Sequence, residues 1–223
     1  MEIIKADGGL SAENLATIDE AVKSSKLLVM PTDTVYGIAT IPFEPQAVER
    51  LQSAKGRGED FPPPVLVSGP AALEELLALP NSGLSGMPRA QFEAASKLAQ
   101  AFWPGPLTII AKARPSLGWD LGKTGGTIAL RMPNHPVALE ILGATGPLAV
   151  TSANRHGAPP ATNLSAATAY FWDKVAVYVD AGESPSGLPS TIVDVTRLDT
   201  ETRLPRLIRQ GGVSLEEISA ALA

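Results

Sequence analysis

Cysteine is absent from the 223 residues, and histidine occurs twice, as His135 and His156. Those absences exclude disulfides, thiol nucleophiles and cysteine-ligated metals, and they leave too few imidazoles for a histidine-rich zinc site. No apolar run approaches the roughly 20 residues that cross a bilayer. The opening MEIIKADGG lacks the basic-then-apolar pattern of a signal peptide, so the expected location is the cytoplasm, with no membrane partner. Basic runs are missing too. With a formal charge of −5 and a pI near 5.1, the surface is not expected to coat itself with nucleic acid, although a local cationic cleft could still touch RNA. Neither G-x-x-x-x-G-K-[ST] nor G-x-G-x-x-G occurs, which removes the common P-loop and the dinucleotide fingerprint. Neither histidine has an evident Ser or Asp relay, so a Ser–His–Asp hydrolase is not expected.

What is present describes a globular α/β chain. Apolar residues make up 44%, and Gly and Pro number 20 each, which implies a sizeable core joined by tight turns. Helical spacing predicts helices over Ser11–Lys26, Pro45–Ala54, Ala71–Leu79, Arg89–Phe102, Pro136–Leu142, Ser165–Trp172 and Ser214–Leu222, with Ser11 and Ser214 as N-caps. Apolar runs predict strands at Leu27–Met30, Val65–Val67, Leu107–Ala113, Thr127–Met132, Leu148–Val150, Val175–Val179 and Thr191–Val195, and a short extended piece near Leu207–Ile208. The alternation is irregular, so the expectation is a single domain over 1–223 with an open mixed sheet and flanking helices. Tyr170, Phe171 and Trp172 are expected to pack a helix, and Trp103 a helix end.

Polar residues cluster where strands end, which is where open α/β sheets commonly bind ligands. PTDTVYG (31–37) offers two threonines and an aspartate after a buried strand; taken alone, it reads more readily as a turn that satisfies its own backbone. KGR (55–57) pairs a compact ammonium with a planar guanidinium, suited to phosphate oxygens, or simply a solvated helix end. TSAN (151–154) supplies small hydroxyl and amide groups. TIALR, PSTIVD and LIRQGG place Thr127, Arg131, Ser190, Thr191 and Arg209 on strands. Arg131, inside an apolar pattern, needs a partner, either a ligand anion or a carboxylate such as Asp180 or Asp194.

The ordered set PTDTVYG, KGR, WPGPLT, ALRMP, TSAN, PSTIVD and IRQGG resembles the YrdC/Sua5 family of threonylcarbamoyl-AMP synthases, from about Ile3 to Ser214. The resemblance implies a twisted open α/β sheet whose concave face is a cationic cleft. It also implies a reaction in which L-threonine, bicarbonate and ATP give threonylcarbamoyl-AMP and pyrophosphate. A separate transferase complex would then pass the group to adenosine 37 of tRNA, making t6A. Carried over residue by residue, Lys55, Arg57, Ser152 and Asn154 match the K-x-R…S-x-N signature around the phosphates, with Lys55 and Arg57 in the catalytic role. Thr127 and Arg209 match nucleotide contacts. Thr34, Ser68, Arg131 and Ser190 match the threonine side, with Arg131 on the carboxylate. Mg²⁺ is implied as a companion of ATP, with no protein metal site. Loss of either Lys55 or Arg57 should stop pyrophosphate release and leave the fold intact. The chain departs from the family pattern at the stretched RGEDFPPPVLVS, at Pro63 and at Pro160, and the expectation is a short form without the second domain of the longer Sua5 proteins. An RNA-binding module of this fold, or an enzyme forming carbamoyl-adenylate, are the alternatives.

Overall fold

The computed structural model describes residues 1–223, apart from the side chain of Leu84. The strands are β1 (Glu2–Lys5), β2 (Leu28–Met30), β3 (Gly37–Thr40), β4 (Val65–Leu66), β5 (Leu107–Lys112), β6 (Thr127–Arg131), β7 (Leu148–Ser152), β8 (Val177–Asp180), β9 (Thr191–Leu198) and β10 (Pro205–Arg209). The helices are α1 (Ala12–Lys23), α2 (Pro45–Lys55), α3 (Ala72–Leu76), α4 (Arg89–Phe102), α5 (Pro136–Thr145), α6 (Leu164–Phe171) and α7 (Leu215–Leu222). All ten strands form one sheet in the order β1-β8-β2-β3-β7-β4-β6-β5-β9-β10. It is mixed: β1/β8, β2/β8, β4/β6 and β5/β9 pair in parallel, and the remaining pairs are antiparallel.

Most predicted elements form within a few residues of their expected ends. Ser11 caps α1 through the Asn14 N–H, and Ser214 closes a full capping box with Glu217. Two strands escaped the sequence reading. In β3, Gly37 and Ala39 have low strand propensity, and the segment is extended because β2 and β7 bond it from both sides. β1 is short and mostly exposed, and its pairing with β8 defines it. Trp172 corrects the helix-packing expectation. The chain leaves α6 at φ +38° on Trp172, so Phe171 is buried while Trp172 turns to solvent.

Two apolar clusters flank the sheet, and their unequal extent creates the site. On one face Val29, Ile38, Val65, Ile109, Leu130 and Val193 pack with residues of α2, α3, α4, α6 and α7 along nearly the whole sheet. On the other, Ile4, Met30, Ala39, Leu148 and Val179 pack with α1 and α5, which cover the half that runs from β1 to β7. Strand alternation decides what is left. Leu107, Ile109 and Ala111 of β5, and Ile128 and Leu130 of β6, belong to the fully covered face. Thr108, Ile110, Thr127, Ala129 and Arg131 therefore point to the side that no helix covers.

Candidate functional site

That uncovered half-face is a cleft of about 540 Å³, lined from β3, β7, β4, β6, β5, β9 and β10 and by the segments before β3 and β4. Its residues separate along the strands. At one end stand Thr34, Arg131, Thr108, Ser190 and Arg209; at the other are Thr127, Thr124, Leu121, Phe61 and Pro62, with Arg57, Thr151 and Ser152 along the β7 side. Arg131 and Thr127 close opposite ends of β6, about 13 Å apart at roughly 3.3 Å per residue.

Arg131 anchors the first end. Its Nε donates to Gly105 O at 2.9 Å, Nη1 to Thr34 Oγ1 at 2.9 Å and Nη2 to Asp33 Oδ1 at 2.6 Å. Its carboxylate partner is thus Asp33 of PTDTVYG, neither Asp180 nor Asp194. Asp33 also accepts from the Asn134 N–H at 3.1 Å. A guanidinium carries five N–H groups, so two remain for a ligand. Burial pulls the Arg131 pKa down, and the charge and hydrogen bond of Asp33 oppose that shift. The role of WPGPLT is now visible. The Trp103–Pro104 bond is cis, Gly105 N bonds Met132 O at 2.8 Å, and Gly105 O holds the arginine. Trp103 sits half-buried at the end of α4, its Nε1 donating to Leu107 O at 2.8 Å.

Arg209 lies next to this cluster. It donates to Ser190 O at 2.8 Å and to Ser190 Oγ at 3.1 Å, and Ser190 Oγ shares a hydrogen bond of 2.8 Å with Thr108 Oγ1. Burial and the neighbouring Arg131 lower its pKa, and among the described residues no carboxylate pairs with it. Gly211 makes this approach possible, because a Cβ there would run into the backbone of Pro189 and Ser190.

The KGR and TSAN segments interlock. Gly56 ends α2 in the left-handed region at φ +69°, and Arg57 then folds back so that its N–H reaches Gln52 O at 3.1 Å. The Arg57 side chain lines the cleft, donating from Nε to Gln52 Oε1 and from Nη2 to Thr151 Oγ1, both at 2.9 Å. Lys55 does not line it. Its buried ammonium donates to Ser152 O, to Asn154 O at 2.6 Å and to Asn154 Oδ1 at 3.3 Å. Asn154 is likewise occupied: its Oδ1 accepts from Ser152 Oγ at 2.6 Å, and its Nδ2 donates to Arg155 O and Ala158 O. Burial, and secondarily Arg57, lower the Lys55 pKa to about 7.

Of the residues predicted from sequence, Thr34, Arg57, Thr127, Arg131, Ser152, Ser190 and Arg209 converge on the cleft. Lys55 and Asn154 stand behind its wall as struts of the 152–158 turn. Ser68 is not brought in. It is exposed just past β4, where the chain leaves the sheet for α3, and it lies outside the lining. Pro63 and Pro160 both line the cleft. Thr108 was missed, and Thr151 and Asp33 lay within TSAN and PTDTVYG without a role of their own. The alternation within LTIIAK pointed to Thr108, whereas nothing local distinguishes Asp33 from a turn aspartate.

The Sua5/YciO/YrdC family model, described as "Telomere recombination", matches residues 20–211. A Mycobacterium tuberculosis relative is 44% identical over 217 residues, covering 97% of this chain and 93% of its own length. The threonylcarbamoyl-AMP synthase of Pyrococcus abyssi is 35% identical over 90% of this chain, which spans 55% of that longer protein. In structure, P. abyssi Sua5 complexed with L-threonine superposes with a TM-score of 0.83 at 31% identity, over 99% of this chain and 61% of that one. Escherichia coli YciO shares the fold with a TM-score of 0.77 at 20% identity, over 97% of this chain and 98% of that one.

Proposed function

The chain belongs to the Sua5/YciO/YrdC family, and from that membership and the cleft we propose that it is an L-threonylcarbamoyladenylate synthase, a nucleotidyltransferase joining L-threonine, bicarbonate and ATP. The observation that carries this reading is the spacing of cations on one sheet face. A fixed guanidinium with two free N–H groups, Arg131, stands at one end, and Arg57 with the Thr151 and Ser152 hydroxyls lies on the β7 side. A carboxylate at the first group and a phosphate at the second fit one extended adenylate.

Arg131 takes the threonine carboxylate in bidentate fashion, a geometry its fork favours. Thr34 and Ser190 offer hydroxyls to the amino acid, and Arg209 adds a second positive charge. The threonine amine and bicarbonate give a carbamate and water. A carbamate oxygen, already anionic, attacks the α-phosphorus of ATP; the new O–P bond forms as the bond to pyrophosphate breaks. No strong base is required. What the step needs is alignment and charge stabilisation, supplied by Arg57, by Ser152 and by the field of Lys55 behind them. Mg²⁺ accompanying ATP would add charge neutralisation at the phosphates, held there chiefly by the nucleotide and not by a protein carboxylate cage. Among the described lining residues Asp60 is the carboxylate, and it is paired with Lys123 at 2.9 Å. The product is an acyl phosphate anhydride prone to hydrolysis. It is proposed to pass to a separate transferase complex that modifies adenosine 37 of tRNA, in the cytoplasm.

The test is direct. Incubation with ATP, Mg²⁺, bicarbonate and threonine should yield threonylcarbamoyl-AMP by mass spectrometry, and omission of threonine or bicarbonate should remove it. Arg57→Ala should abolish pyrophosphate release while circular dichroism stays unchanged. Product formation independent of bicarbonate would defeat the proposal.

A further inference from the structure

The stretched segment before β4 is not accounted for by the phosphate or threonine contacts, yet it is firmly held. Gln52 Nε2 donates to Phe61 O at 2.7 Å, Lys123 N donates to Glu59 O at 2.9 Å, and Lys123 Nζ pairs with Asp60. A Cβ on Gly122 would lie 2.6 Å from Glu59 O, so the two loops meet backbone to backbone. From this braced support the Phe61 ring projects into the cleft with 47% of its surface exposed. His156 lies 5.0 Å from its centroid at a tilted angle, and the Arg57 guanidinium 5.9 Å away. His156 and the Arg57 guanidinium are the ring's neighbours, and about half of the side chain stays open to the cleft, room for a planar ligand beside them.

We propose that Phe61, supported by His156, is the stacking platform for the adenine base; the proposal rests on the adenylate-forming reading above. Chain connectivity in the ligand supports it. An adenylate runs from acyl group through phosphate and ribose to base, so the base lies beyond Arg57, on the side away from Arg131. Because β4 runs parallel to β6 with Val65 beside Leu130, the residues before β4 lie toward the Thr127 end. There Phe61, Pro62 and Leu121 form an apolar wall next to the Thr124 and Thr127 hydroxyls. A flat apolar surface next to a guanidinium that holds phosphate is what a purine nucleotide requires.

Phe61→Ala should raise the ATP KM about tenfold, the scale of a lost base–aromatic stack, and leave the threonine KM unchanged. Phe61→Trp should restore the ATP KM. Its fluorescence, taken as a difference from the parent protein, should change on adding ATP and not on adding inorganic tripolyphosphate. An unchanged ATP KM in Phe61→Ala, an equal rise in both KM values, or an equal response to tripolyphosphate would overturn the platform. An ATP-specific signal in a protein that makes no threonylcarbamoyl-AMP would keep the platform and remove the synthase reading. Full synthase activity in Phe61→Ala with an unaltered ATP KM would do the reverse.

Discussion

Lys55 shows how much a side chain's surroundings alter its role. By motif it belongs with Arg57 at the phosphates. In the structure its ammonium ties together the carbonyls of Ser152 and Asn154, and Arg57 alone of the pair reaches the cleft. This adds to the expected phenotype: Lys55→Ala leaves buried acceptors unpaired, a loss of about 1–3 kcal/mol, so its Tm should fall even where the fold persists. With a pKa lowered to about 7, the group is charged below that pH and neutral above it. A neutral Lys55 withdraws positive field from the phosphate site, so kcat/KM for MgATP should decline as pH rises through 7. Bound phosphate stabilises the ammonium, so the break in kcat should lie at higher pH. Both breaks should vanish in Lys55→Gln, and a flat wild-type profile from pH 6 to 9 would refute the assignment. Arg131 and Asp33 make the complementary case. Sequence showed that a buried arginine needed a partner, and only the folded chain identified it, because the two lie 98 positions apart.

Among the elements, the end of α2 decides where Arg57 points. Gly56 adopts φ +69°, a conformation that costs a residue with a Cβ about 1 kcal/mol. Gly56→Ala should therefore lower stability by about that amount in urea titrations. It should also reduce kcat more than it raises the threonine KM, because the turn aims Arg57 and does not touch Arg131. Equal losses in both parameters would argue against that division of labour. The helices and long strands were legible because their patterns are local: Arg89–Phe102 forms with the ends predicted for it. β3 was not, since Gly37 and Ala39 become a strand through neighbours more than 100 positions away in β7. Ser68 failed for a related reason. A motif position carries no information on where the chain turns after an inserted stretch.

For the molecule as a whole, the charge distribution and the half-covered sheet belong together. A chain of net charge −5 keeps Arg57, Arg131 and Arg209 on one concave face, where the first and last have no carboxylate partner among the described residues. Like charges held together disfavour the empty fold, and a bound anion relieves them. ATP and threonine should each raise the Tm, by an amount equivalent to about 2.7 kcal/mol at a hundred times the dissociation constant. Arg131→Ala should abolish the shift with threonine and retain the shift with ATP. Loss of both shifts would mean that the two ligands do not occupy separate ends of the cleft.

The sequence by itself determined the class of fold, the exclusion of thiol and zinc chemistry, and the set of polar segments that reach the site. Those properties follow from composition and short-range periodicity. The tertiary structure alone decided that α1 and α5 stop halfway across the sheet and leave a cleft. It also decided that Lys55 and Asn154 brace its wall from behind, that Asp33 holds Arg131, and that Phe61 stands open at the far end. Each of these depends on which distant strands pair and which half-face is covered, and local pattern does not encode that.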